Sequence, residues 1–165
     1  MIHHIKGDLL ASDCQVIGHQ VNCFTTFGAG IALQIKRQFR RAYEIDRTTK
    51  RGDRSKMGDA IRVPCLRPDG STLWVYNLYG QYECGGGGIG AVYTEYDALE
   101  TALRRMVELV LVDGHGPVRR WPKVGLPYKI GCALGGGDWP TVLAILERVF
   151  GERDLYLYEF NPKEV

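Results

Sequence analysis

Two glycine-rich stretches hold the residues of this chain best suited to chemistry. One, Val124 to Trp139, reads VGLPYKIGCALGGGDW, and the other, Thr25 to Gly30, reads TTFGAG. Each follows an apolar run that reads as a buried strand, and each leads into residues with helical spacing. After the first, Val142, Ile145, Leu146 and Val149 recur at i, i+3, i+4 and i+7, with Pro140 suited to the first turn and Asp138 able to cap it. After the second, Ile31, Ile35, Phe39 and Ala42 predict one helix with a single apolar face. A strand, a glycine turn and a helix N-terminus together present unpaired N–H groups and a positive dipole end, which suit an anion and above all a phosphate. The same glycines can also serve only to make the turn. Two such turns at two strand ends could clamp a diphosphate between them. Neither is a P-loop, because no GK[ST] follows, and the spacing is not GxGxxG.

Single polar residues near these turns have two readings each. Gln15 to Asn22 (QVIGHQVN) reads as a central strand ending on Gln20 and Asn22, and ligands of open α/β sheets bind beyond the carboxyl ends of strands. Asn22 is placed to bond a ligand there, or to form a turn. Asp8, after an opening strand Ile2 to Lys6, can accept from an exocyclic amine or from nearby backbone N–H groups. Tyr79 and Tyr82 could stack on a base or ribose, or simply pack on the surface. The run Gly85 to Gly88 is expected to be mobile and could act as a lid.

The elements that must position these residues follow the same logic. Asp59 to Arg67 and Thr72 to Leu78 read as strands joined by the turn RPDGS, a hairpin that makes the sheet mixed. Thr94-Glu95-Tyr96-Asp97 reads as a capping box with Asp in the last place. It opens a helix carrying Tyr96, Leu99, Leu103, Met106, Val107 and Val110 on one stripe, closed by Asp113-Gly114. Asp154 to Phe160 reads as a last strand, and Asn161 to Val165 as a frayed tail.

With 165 residues the chain fits one domain, 1–165, with a continuous core. Hydrophobic residues at 45% and charged residues at 24% exclude a disordered chain, and no apolar run is long enough to span a membrane. The N-terminus MIHHIKGD lacks the apolar core of a signal peptide, so a cytoplasmic location is expected. Cys14, Cys23, Cys65, Cys84 and Cys132 form no CxxC pair, which argues against a disulfide framework and against a metal site. From Lys36 to Lys56 there are nine basic residues against three acidic ones, a local net of +6. That segment could contact nucleic acid or another polyanion, or be the solvated face of a helix.

The motifs taken in order resemble a macrodomain, the module that binds ADP-ribose. They are Gly7-Asp8-Leu9, Val21-Asn22 before Gly28-Ala29-Gly30-Ile31-Ala32, Asn77-Leu78 before Gln81, Tyr96-Asp97-Ala98-Leu99, and Leu126-Pro127 through Ile130-Gly131-Cys132 to Gly135-Gly136-Gly137-Asp138-Trp139. The resemblance runs from Ile2 to Phe160. It is strongest to the branch containing ADP-ribose 1″-phosphate processing proteins, terminal ADP-ribose glutamate hydrolases and antitoxins that remove ADP-ribose from DNA. It implies an α/β fold, a three-layer α/β/α sandwich around a mixed sheet, with no cofactor. It further implies Asp8, beside Leu9, at the adenine amine, and Asn22 near the distal ribose with Gln81 close by. Gly28, Ala29, Gly30 and Ile31 would wrap the diphosphate from one side, and Gly131, Cys132, Ala133, Leu134, Gly135, Gly136 and Gly137 from the other.

Relatives that work through a covalent lysine carry it where this chain has Gly80 or Gln81, and their aspartate falls at Gly135. A lysine adduct is therefore not expected. Asp138 is the carboxylate near the loop that could orient or deprotonate a water, with Asn22 holding the ribose. It is equally suited to cap the helix, and the two roles are compatible. The implied function is a hydrolase removing an ADP-ribose-linked group, either a 1″-phosphate or an ADP-ribosyl ester on protein or nucleic acid. The alternatives are a non-catalytic ADP-ribose reader and a hydrolase that docks ADP-ribosylated nucleic acid through residues 36–56.

Overall fold

The strand Thr72–Tyr79 (TLWVYNLY) is buried along most of its length, as a strand covered by helices on both faces must be. The computed structural model describes residues 1–85, 90–113 and 120–160. Through them run strands β1 (Ile2–Lys6), β2 (Val16–Val21), β3 (Ala60–Leu66), β4 (Thr72–Tyr79), β5 (Val124–Pro127) and β6 (Leu155–Glu159). The helices are α1 (Gly30–Gln38), α2 (Arg40–Arg47), α3 (Tyr96–Asp113) and α4 (Trp139–Phe150).

The sheet order is β1-β6-β5-β2-β4-β3, and all neighbours are parallel except β3 with β4. The hairpin thus makes the sheet mixed, as expected. Side chains alternate across β4 and build two cores. Leu73, Val75 and Tyr79 pack with Ile35, Phe39 and Ala42 of the α1–α2 layer. Tyr76 and Leu78 pack with Leu99, Leu103 and Met106 of α3 and with Val142, Ile145 and Leu146 of α4. Each large aliphatic side chain so buried contributes about 1.5–3 kcal/mol, so the helical layers are held by the stripes that predict them.

Three expectations are corrected here. The single helix over Ile31 to Ala42 is two, because Phe39 leaves helical geometry (φ −127°, ψ 59°) and the chain restarts as α2. Buried polar bonds that hydrophobic spacing does not register tie α2 to the sheet. Asn77 Nδ2 donates to Ala42 O at 3.0 Å, and the Tyr79 hydroxyl donates to Asp46 Oδ1. Tyr79 is therefore neither a stacking residue nor a surface one, being fully buried under α2. The capping box also fails: α3 begins at Tyr96, and the Thr94 hydroxyl donates to Gly131 O at 2.6 Å.

Gly86 to Gly88 of the expected lid, Gly114 after α3, and the tail 161–165 lie outside the described residues. No helix among the described residues is long and apolar enough to cross a membrane.

Candidate functional site

Because β2, β4 and β5 are parallel, their carboxyl ends share one edge of the sheet. A cleft of about 400 Å3 opens there, between the turn after β2 and the turn after β5. Asn22, Gly28, Ala29, Gly30, Ile31, Gln81, Gly131, Ala133, Leu134 and Gly135 all line it. So do Gln20, Thr26, Phe27, Cys84, Tyr128 and Lys129.

The first wall is the turn from Asn22 into α1. Asn22 makes the turn, since its Oδ1 accepts from Phe24 N at 2.8 Å and its Nδ2 donates to Thr26 Oγ1 at 2.7 Å and to Cys84 Sγ at 3.3 Å. Thr25 (φ 57°) and Phe27 (φ 24°) take left-handed backbone without being glycine, a strain of roughly 1–2 kcal/mol each. The buried Phe27 ring, edge-on to His19 at 5.0 Å between centroids, holds that conformation. Helix α1 then starts without a cap, because its N-cap is Ala29. The N–H groups of Gly30, Ile31 and Ala32 donate to no described group. Helix α4 is the contrast: Asp138 Oδ2 accepts from Thr141 N at 3.0 Å and from Thr141 Oγ1 at 2.7 Å.

The second wall is the loop from Ile130 to Gly137. Its folding consumes the N–H groups of Ile130, Cys132, Gly136 and Gly137 in bonds to Pro127, Lys129, Ala133 and Gly131 carbonyls. The N–H groups of Gly131, Ala133, Leu134 and Gly135, all on cleft-lining residues, donate to no described group. The cleft thus has a row of open donors on each side, one beginning at a helix N-terminus whose dipole adds positive potential.

Between the walls lies an amide network. Gln20 Nε2 donates to Gln81 Oε1 at 2.7 Å and to Thr94 Oγ1 at 2.9 Å, and Gln81 Nε2 donates to Glu83 O at 3.0 Å. At the β5 end, Tyr128 stacks on His4 at 4.3 Å and meets Trp139 edge-on at 5.1 Å. Lys129 is the one charged side chain among the described lining residues, and its Nζ lies 5.5 Å from the Tyr128 ring centre.

Asp8, Leu9, Cys132, Gly136, Gly137 and Asp138 do not line the cleft. Asp8 Oδ1 accepts from Leu10 N at 2.8 Å, capping a short 3₁₀ turn, and Leu9 is buried in the core. Burial raises the pKa of the Cys132 thiol. Gly136 (φ 67°) packs so tightly on segment 91–92 that a Cβ would collide with Ala91 O. Asp138 is exposed, and the Thr141 hydroxyl and then the Thr141 N–H hold its carboxyl below the usual range. Tyr82 is outside the lining too, with its hydroxyl on Gly52 O and the Arg54 guanidinium 4.6 Å over its ring. Among the described residues no three His, Cys, Asp or Glu side chains gather to hold a metal.

Sequence reasoning missed Gln20 and Thr94 as parts of the site. A glutamine at a strand end was the visible signal for the first, whereas Thr94 was hidden by its resemblance to a cap.

Fold and cleft together define a layered α/β protein with a cleft of open main-chain donors at its strand ends. No family model matches the chain. An uncharacterized 17.5 kDa protein of Enterobacteria phage T4, from the tk-vs intergenic region, is 27% identical over 166 residues, covering 98% of each chain. The macrodomain of Mycobacterium tuberculosis DarG superposes with a TM-score of 0.74 at 21% identity, covering 96% of this chain and 97% of that one. Thermosipho africanus DarTG, solved in complex with ADP-ribose, superposes with a TM-score of 0.71 at 20% identity, covering 98% of this chain and 42% of that one. This chain has the macrodomain fold, a three-layer α/β/α sandwich.

Proposed function

We propose that the cleft binds ADP-ribose and that the protein hydrolyses a bond to it, releasing the phosphate of ADP-ribose 1″-phosphate or cleaving an ADP-ribosyl ester on protein or nucleic acid. The observation that carries this reading is the pair of open donor rows, Gly30 to Ala32 on one wall and Gly131, Ala133, Leu134 and Gly135 on the other wall of one cleft. A diphosphate between them accepts charge-assisted bonds worth about 1.5–3 kcal/mol each. That DarTG, 42% of which superposes on this chain, was solved in complex with ADP-ribose supports the choice of ligand.

The cleft offers no carboxylate among its described lining residues. The chemistry therefore uses a water whose proton passes to the substrate's own phosphate as the water attacks and the bond to the leaving group breaks. Gln81 Nε2, with one N–H on Glu83 O and the other open, and Asn22 Oδ1 are the side-chain atoms placed to orient that water or the ribose.

ADP-ribose and ADP are expected to raise the melting temperature, and adenosine far less. A ligand at about 100 times its Kd adds roughly 2.7 kcal/mol to stability. Equal shifts from ADP-ribose and adenosine would remove the diphosphate from the argument. Incubation with ADP-ribose 1″-phosphate, ADP-ribosylated protein and ADP-ribosylated DNA then shows which is consumed. Binding without consumption of any would mark the protein as a reader.

A second reading, that the substrate is a nucleic acid, is favoured by the cationic surface beside the first wall. Arg37, Arg41, Lys50 and Arg51 are exposed without an ion pair among the described residues. Lys36 Nζ lies 4.1 Å and the Arg47 guanidinium 5.8 Å from the Tyr43 ring centre, and Tyr43 packs on Phe27 of the cleft wall. Affinity for single-stranded DNA should fall steeply with salt, and neutralising Arg47, Lys50 and Arg51 together should flatten that slope. Absence of DNA binding at low salt would remove this reading and leave the first intact.

A further inference from the structure

We infer that Thr94, supported by Gln20, is a positioning residue that fixes the donor row of the second wall; this rests on the reading of the cleft as a diphosphate site. Thr94 holds both ends of that row. Its hydroxyl donates to Gly131 O at 2.6 Å, and its main-chain N–H donates to Gly135 O at 3.0 Å. The open N–H groups of Ala133, Leu134 and Gly135 lie on the stretch between those two carbonyls, and that of Gly131 lies just before the first. A loop so rich in glycine has many conformations available, and two anchors from one residue select among them.

The direction of the hydroxyl is itself set. Gln20 Nε2 donates to Thr94 Oγ1 at 2.9 Å, so the Thr94 proton is left to point at Gly131 O. Gln20 in turn bonds Gln81 on the cleft floor at 2.7 Å, which links the floor to the loop through one amide. Thr94 is buried and does not line the cleft, so it acts on ligand only through the loop. Steric fit adds to the clamp: a Cβ at Gly135 would collide with the Thr94 hydroxyl.

Thr94→Val keeps the shape and the main-chain N–H while deleting the hydroxyl, and Thr94→Ser restores the hydroxyl. Calorimetric affinity is measured for ADP-ribose, ADP and adenosine, with amide hydrogen exchange of the ligand-free protein alongside. In Thr94→Val, affinity for ADP-ribose and ADP should fall about tenfold, the size of one lost hydrogen bond, while adenosine changes less than about twofold. The Gly137 amide, which donates to Gly131 O at 2.9 Å, should exchange about tenfold faster while the α4 amides keep their rates. Thr94→Ser should return both readouts to near wild type. Wild-type exchange at Gly137 in Thr94→Val, unchanged affinity there, or a Thr94→Ser defect as large as that of valine would each overturn the inference. If the wild-type protein binds no ADP-ribose, the proposed function fails, and the exchange experiment still decides whether Thr94 holds the loop.

Discussion

Gly30 and Leu134, one from each glycine-rich turn, come so close that a Cβ on Gly30 would stand 3.7 Å from Leu134 Cδ1. The two walls of the cleft meet at this point. Leu134 is 65% exposed although its side chain is wholly apolar, so it contributes little to the folded protein without ligand. Seated against a ligand it would lose that exposed surface. Leu134→Ala is expected to lower ADP-ribose affinity about three- to tenfold and to leave the melting temperature unchanged. Calorimetry with a parallel melt checks both, and a drop in melting temperature would show that Leu134 holds the two turns together instead.

Asp138 separates the cap from a catalytic base. Asparagine caps helices about as well as aspartate, and it cannot take a proton from water. With Oδ2 engaged by Thr141 and the residue outside the lining, Asp138→Asn is expected to keep stability, ADP-ribose affinity and turnover near wild type. A fall in turnover of about 10²- to 10⁴-fold at unchanged affinity would restore Asp138 as the base.

The Gly136 position tests what the glycine run is for. Its left-handed backbone and the Ala91 carbonyl both exclude a side chain, so the need for glycine there arises within the protein. Gly136→Val should lower the melting temperature and ADP-ribose affinity together, with a stability loss of about 2 kcal/mol or more. Lost affinity at an unchanged melting temperature would mean that the ligand occupies this space.

Tyr79→Phe removes the hydroxyl that donates to Asp46, whose Oδ2 has no partner. A buried carboxyl left without its one hydrogen bond should cost about 1–3 kcal/mol of stability by urea denaturation. Affinity for ADP-ribose should hold, because Tyr79 lies in the core under α2 and not on the cleft. A selective loss of binding would place Tyr79 back at the ligand.

His19 makes stability depend on pH. Asn77 Nδ2 donates to Ala42 O, so Asn77 Oδ1 accepts from His19 Nε2 at 2.8 Å, and Nδ1 has no partner in the core. Burial pushes the His19 pKa down from 6.5 to about 4. Between those values the unfolded chain binds a proton that the folded protein refuses, so stability falls as pH drops from 6.5 towards 4. By pH 5 the loss should be about 2 kcal/mol relative to pH 8, and His19→Gln should abolish that part of the slope. Equal slopes for the two proteins would show that His19 protonates in place.

The layers were legible because apolar spacing reports burial. The stripes of α3 and α4 and the alternation of β4 name their own faces, and the hairpin through Asp69-Gly70 announces the antiparallel strand. The break at Phe39 was not legible, since Phe39 and Ala42 keep the helical apolar spacing on either side of it while buried bonds from Asn77 and Tyr79 draw α2 to the sheet. At the site, the glycine turns could be placed from spacing, and Gln81 from the macrodomain resemblance. Thr94 could not, because its partner Gly131 is remote in sequence and the hydroxyl of a threonine before a helix ordinarily serves that helix.

The open donors of the cleft belong to the main chain, and every residue except proline brings the same N–H. Substitution at Ile31, Ala133 or Leu134 therefore leaves the donors in place so long as the turns keep their course. Mutational drift can rewrite much of the lining without erasing the rows of open donors. The course of the turns depends instead on a handful of positions that admit no Cβ or that anchor a loop carbonyl, such as Gly136 and Thr94.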